Sequence, residues 1–292
     1  MNLQEKIFSK QLVPAELEAP CAGIWFDSEA CICKRLSGAR LFNMCILIWY
    51  DKTKEVHAEE RKKDTEVEAM RQQQTAASKN LQGSESVRFS GVKNGGKRLL
   101  FVGNSIAWHA PADSIGWTGD WGMAASCPEK DYVHQVAEMV CGVSAPPAVC
   151  ICQAAAWERA YKTGSEKYPL YESAREFAAD VIVVHLIENC PVEGFDAAEY
   201  KAALGGLLAY LNQSGKAEII LTTGFWPHVG NPAILEYAAE NALPCVILGD
   251  LGQQPEMRAD GLFEHAGVAA HPGDRGMQAI AERIFAQLKQ SL

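Results

Sequence analysis

No stretch of the chain is apolar for long enough to cross a membrane: the longest candidate, Leu41 to Tyr50, contains Asn43 and is about half of the ~20 residues a spanning helix needs. The opening MNLQEKIFSK lacks a basic start leading into an apolar run, so no secretory signal is expected and the chain reads as soluble and cytoplasmic. Positive charge is also short. Residues 98–292 hold 12 Lys/Arg against 23 Asp/Glu, which argues against nonspecific binding of nucleic acid or of an anionic membrane. Among the ten cysteines, the pairs Cys31/Cys33 and Cys150/Cys152 lack the C-x-x-C spacing of zinc sites, and reduced, buried thiols are the expectation. His185 and His228 have no second ligand at useful spacing, so no metal is expected. A glycine-rich phosphate loop is missing as well: G-N-S-I-A-W (103–108) has neither G-x-G-x-x-G nor a P-loop lysine, which argues against a nucleotide-binding domain, and no cofactor is expected.

What is present divides the chain near residue 96. Residues 1–95 read as an N-terminal extension. Trp25 to Tyr50 is apolar and cysteine-rich without a clean period, and Asp51 to Asn80 is charged and free of Pro and Gly, the pattern of a solvated helix. Its apolar positions Val56, Val67 and Met70 are too sparse for a coiled-coil seam. Asn80 to Gly96, rich in Ser, Gly and Asn, reads as a linker.

From Arg98 onward, apolar runs of strand length alternate with helical patterns. The runs are RLLFV (98–102), AVCIC (148–152), DVIVVHL (180–186), EIILTT (218–223) and CVILGDL (245–251). Runs apolar throughout indicate parallel strands covered on both faces. Helices are expected over Tyr132 to Val140, Ala197 to Asn212, Pro232 to Asn241 and Asp274 to Leu288, the last capped by Asp274. Asp131 is a candidate cap for the first, with Glu129 and Lys130 in its charged opening. This alternation predicts an α/β fold, a three-layer αβα sandwich with a mostly parallel sheet in residues 96–292. Ligands of such sheets bind outside the carboxyl ends of the strands.

Position at that rim selects the chemistry-bearing residues. Ser105 follows the first strand at Gly103-Asn104-Ser105, where a turn can expose the hydroxyl; taken alone, such a serine also fits a helix cap. His271, in AAHPGDRG, lies in the loop before the last helix, where it could serve as a base or satisfy a loop carbonyl. Asn189, after the third strand in HLIENCP, could donate to an oxyanion or shape the turn before Pro191. All three fall at one edge of one sheet, which favours a shared site.

These segments resemble those of SGNH (GDSL-like) hydrolases, a family of flavodoxin-like α/β esterases. FVGNSI resembles the nucleophile block, with Asn104 where many members have Asp; IEN resembles the oxyanion-asparagine block; HPGDRGMQAIAERI resembles the histidine block. IGWTGDWGMAASCPEKDYVH (115–134) resembles a bacterial subgroup with this tryptophan-rich stretch. The resemblance covers roughly 96–292. It implies that Ser105 attacks an ester carbonyl, that His271 moves the proton, and that Asn189 and the Ser105 N–H hold the oxyanion. The substrate implied is a small-molecule or carbohydrate ester, with an O-acetylated carbohydrate first and a short-chain carboxylic ester or lipid next.

Two departures accompany it. The family's second block supplies a Gly whose N–H completes the oxyanion hole, whereas this chain has Ala154 or Ala155 there. The triad Asp three residues before the histidine is replaced by Val268, which leaves a dyad oriented by a carbonyl, an acid such as Glu264, Asp260 or Glu188 arriving by another path, weak activity, or a silent binding module. Trp117, Trp121, Met123 and Trp157, together with Asn104, are candidates to line a pocket for a sugar or acyl group, with core packing as the alternative for at least half of the first four.

Overall fold

The computed structural model of the chain describes residues 83–91 and 96–292. The expected charged helix of Asp51 to Asn80 and the apolar stretch before it lie outside the described residues. Six strands form one sheet: β1 (Val87–Gly91), β2 (Arg98–Gly103), β3 (Ala148–Gln153), β4 (Val181–Val184), β5 (Glu218–Thr222) and β6 (Cys245–Val246). Their order is β1-β3-β2-β4-β5-β6. All pairs are parallel except β1 with β3. The longer helices are α1 (Tyr132–Cys141), α4 (Ala197–Leu211), α5 (Asn231–Glu240) and α7 (Asp274–Leu288), with short helices α2 (Ala155–Arg159), α3 (Glu172–Glu176) and α6 (Ala266–Ala269) between them. None is long and apolar enough to cross a membrane among the described residues.

The strands are apolar on both faces because each face meets a different helix layer. Leu100, Val102, Cys150, Cys152, Ile182 and Val184 pack with Leu204, Leu207, Leu208 and Leu211 of α4 and Ala233, Ile234 and Ala238 of α5. The alternate residues Leu99, Phe101, Val149, Ile151, Val181 and Val183 pack with Val133, Val136 and Val140 of α1 and Met277, Ile280, Ile284 and Leu288 of α7. This is the three-layer sandwich expected. Burial pushes the Cys150 and Cys152 thiols far up, so both remain protonated core residues.

Three local expectations are corrected. The linker reading of Asn80 to Gly96 fails at Val87–Gly91, which is β1: Val87 is wholly buried and pairs opposite Cys152. The expected last strand stops at Val246, because the N–H groups of Leu248 and Gly249 turn to Thr223 Oγ1 (2.8 and 3.2 Å). Asp131 does cap α1, accepting from His134 N at 2.8 Å. Asp274, however, does not cap α7; it sits in the first turn, where its carboxylate takes Ser126 N and Oγ (2.8 and 2.7 Å). A chain beginning at Ser90 should therefore lose about 2 kcal/mol or more of stability from Val87 alone relative to one beginning at Gly83. Thermal melts of the two compare them directly, and equal midpoints would mean that β1 contributes nothing.

From β2 the chain winds outward to β3 and then returns past β2 to β4. The winding direction therefore reverses at β2, and the crevice belongs at the carboxyl ends of β2 and β4.

Candidate active site

Strand β2 ends at Gly103, where a Cβ would lie 2.6 Å from the Ala107 methyl; only glycine lets the chain turn this tightly. The turn is fixed by Asn104, whose carbonyl accepts from Ala107 N and Trp108 N (3.0 and 3.1 Å) and whose Oδ1 accepts from Ile106 N (3.1 Å). Ser105 is presented half-buried at the rim. Its carbonyl is held by Met123 N at 2.8 Å, while its own N–H takes no partner among the described residues.

Ser105 Oγ lies 2.8 Å from His271 Nε2. The opposite ring nitrogen, Nδ1, is 2.7 Å from the Gly267 carbonyl. A carbonyl can only accept, so Nδ1 carries the proton and Nε2 is free to accept from the serine hydroxyl. The backbone of His271 is fixed on both sides, its N–H on Val268 O (3.0 Å) and its carbonyl receiving Ala259 N (2.9 Å). The Trp226 ring stands edge to face on the imidazole, with centroids 5.3 Å apart, and its Nε1–H donates to Ala270 O at 3.2 Å. Burial holds His271 down to about 4, only partly offset by the Gly267 carbonyl. An NMR titration of the ring should find it neutral until well below pH 6, and a midpoint near 6.5 would contradict this environment.

None of the expected acids reaches the imidazole by a hydrogen bond. Asp260 is paired with Arg258 (2.8 Å to Nε). Glu264 is exposed. Glu188 accepts from His185 Nε2 (2.9 Å), Asn104 Nδ2 (2.7 Å) and Phe225 N (2.8 Å). Val268, in the triad-acid position, is buried against Trp117, Met123 and Ala259.

The oxyanion expectation is corrected in part. The Ala154 N–H donates to Gly103 O at 2.6 Å and that of Ala155 to Gln153 Oε1 at 3.2 Å, so both are spent. Asn189 uses one amide hydrogen on Glu158 Oε2 (2.7 Å), and its Oδ1 accepts from Arg159 Nη2 (3.3 Å); the second amide hydrogen is left for a ligand.

Glu158 was not foreseen. It stands between Trp157 and Arg159 in the short helix α2, and its carboxylate is fully buried. Burial and the charge of Glu188 push it above the usual carboxylate range. Burial works the same way on Glu188, but the facing His185 ring and the N–H of Phe225 outweigh it and hold that carboxyl below its usual range. Asn104 explains itself here: its two amide hydrogens point one at Glu158 (3.2 Å) and one at Glu188 (2.7 Å). An Asp in its place would set a third carboxylate against two.

The candidate pocket residues turn out to be packing. Trp117, Met123 and Trp157 are at most 3% exposed. Trp117 donates to His109 O (3.1 Å) and Trp121, half-buried, to Ala125 O (2.8 Å), so the tryptophan-rich loop folds on itself and buttresses the turn of Ser105. Trp226, in the loop after β5, is the aromatic residue that reaches the dyad. The strand-end rule that selected Ser105 and Asn189 also covers its position. Among the described residues, no group of three or more His, Cys, Asp or Glu could hold a metal ion.

No family model matches the chain, and no curated protein matches it. Solved structures similar to it include a lipase/acylhydrolase from Enterococcus faecalis, 15% identical over 67% of this chain and 97% of that one, with a TM-score of 0.46. A family two carbohydrate esterase from Clostridium thermocellum, in complex with cellohexaose, is 15% identical over 69% and 66%, with a TM-score of 0.46. A GDSL-like lipase from Bacteroides thetaiotaomicron is 15% identical over 67% and 89%, with a TM-score of 0.39. The likeness is distant, and the chemistry rests on the side chains described above.

Proposed function

We propose that the chain hydrolyses carboxylic esters through an acyl-enzyme on Ser105, with His271 as general base and acid. The observation that carries this reading is the 2.8 Å contact between Ser105 Oγ and the unprotonated nitrogen of an imidazole whose other nitrogen is pinned. As Oγ bonds to the ester carbonyl carbon, Nε2 takes its proton and the oxyanion meets the Ser105 N–H and the free amide hydrogen of Asn189. Collapse expels the alcohol, to which His271 returns the proton. Water, deprotonated in turn by His271, then releases the acid and regenerates the serine. The Gly267 carbonyl orients the ring as a triad carboxylate would, but it steadies the imidazolium less, because it brings a dipole and not a charge. The result is a base that is fully available at neutral pH and weak in driving force.

Hydrolysis of 4-nitrophenyl acetate, butyrate and octanoate tests the reaction and its acyl length together. No turnover of any of them would favour the silent binding module. An O-acetylated carbohydrate rests on the tryptophan-rich segment alone, where Trp117 is buried and the half-buried Trp121 bonds back to its own loop, so the reading is held at the level of the ester. Asn189→Ala should lower kcat by about 10²-fold or more, the usual loss for one oxyanion donor. An unchanged kcat would leave Asn189 as a turn residue.

A further inference from the structure

We propose that Glu158 and its neighbour Arg159 form a clamp that fixes the amide of Asn189 in the orientation that aims its free N–H at the oxyanion; both are positioning residues, and the inference rests on the ester-hydrolase reading above. The geometry leaves the amide one orientation. Arg159 Nη2 can only donate and lies 3.3 Å from one end of the amide, which places Oδ1 there, and Glu158 Oε2, an acceptor in its ionised form, lies 2.7 Å from the other. A flipped amide would set oxygen against carboxylate and hydrogen against guanidinium. With one N–H tied to Glu158, the plane of the group fixes where the second points.

The remaining bonds of Glu158 tie this donor to the nucleophile. Its Oε1 accepts from Ile187 N (2.6 Å) and Asn189 N (3.4 Å), on the loop after β4, and from Asn104 Nδ2 (3.2 Å), in the turn that presents Ser105. One carboxylate therefore spans the ends of β2 and β4, the two strands that flank the crevice. All of these hydrogen-bond donors are neutral. A buried carboxylate with no cation bonded to it costs the fold stability, and an apolar side chain would fill the space more cheaply; what the carboxylate adds is fixed geometry.

The test is kcat and KM on 4-nitrophenyl acetate for the full chain and for Glu158→Gln, Arg159→Ala, Asn189→Ala and the two doubles with Asn189→Ala, with circular dichroism as the check on folding. Glu158→Gln should lower kcat by about 10- to 100-fold and Arg159→Ala by about 3- to 10-fold, each with KM within about threefold, because misaiming a transition-state donor spares ground-state binding. In the Asn189→Ala background each should cost less than about twofold more, since the group they aim is gone. Losses that multiply in the doubles, or a folded single variant with unchanged kcat, would overturn the clamp. Should Glu158→Gln fail to fold, Arg159→Ala decides alone: its residue is exposed and its truncation leaves the core intact. A wild-type chain that turns over no ester sinks the hydrolase reading and the clamp with it, whereas an active wild type with indifferent variants overturns only the clamp.

Discussion

Ser105→Ala should abolish ester turnover, lowering kcat by about 10⁴-fold or more while leaving the thermal midpoint within a few degrees. Loss of a nucleophile removes the acyl-enzyme route altogether, and what remains is whatever the oxyanion donors do for direct attack by water. The fold has little stake in the hydroxyl. Ser105 is half-buried, the turn around it is held by the Asn104 carbonyl and side chain, and its own carbonyl bond to Met123 N is untouched by the substitution. The measurement is kcat/KM on one activated acetyl ester beside a melting curve. Turnover retained in the variant would remove Ser105 from the chemistry, and a collapsed melt would mean that the loss came from the fold.

The second large effect is expected at His271, with no counterpart at Glu264 or Asp260. His271→Ala should be close to inactive, whereas Glu264→Gln and Asp260→Asn should each cost less than about tenfold in kcat/KM. In a Ser-His-Asp triad, amidating the acid cost about 10⁴-fold in the serine-protease template, because the carboxylate sets the tautomer and steadies the imidazolium. Here the tautomer is set by Gly267 O, and a backbone carbonyl cannot be removed by changing a side chain. Asp260 is committed to Arg258, and Glu264 stands exposed. Glu188→Gln is expected to act differently: it leaves His185 facing an amide and disturbs the bonds to Asn104 and Phe225, so any loss there should be accompanied by a lower melting midpoint. A loss near 10⁴-fold at one carboxylate, with the fold intact, would identify a triad acid and overturn the dyad.

The layering and the rim were legible because they are written in local patterns. RLLFVG is apolar at consecutive positions, which only a strand covered on both faces requires, and its ending in Gly-Asn-Ser marks a turn at the ligand edge. The helix from Asp274 to Leu288 shows its apolar stripe at Met277, Ile280, Ala281, Ile284 and Leu288. β1 was hidden because VRFSG carries Arg and Ser within a Ser- and Gly-rich stretch; its place comes from pairing with β3, a long-range partner that no local pattern records. Glu158 was hidden for a related reason. A glutamate between Trp and Arg in a short helix looks solvated, and only the convergence of Asn104, Ile187 and Asn189 on its oxygens shows otherwise. The tryptophans misled in the opposite direction, because the faces that suit a sugar ring suit a core equally well, and tertiary packing chose the core.

The most direct test of the account is to treat the native chain with a fluorophosphonate probe and map the labelled peptide. Phosphonylation needs an activated serine and an oxyanion pocket in one place, so it reports the arrangement itself and does not depend on guessing a substrate. A single modified peptide carrying Ser105 is expected, with labelling lost in His271→Ala. A label on another residue, or no label on a folded chain, would contradict it.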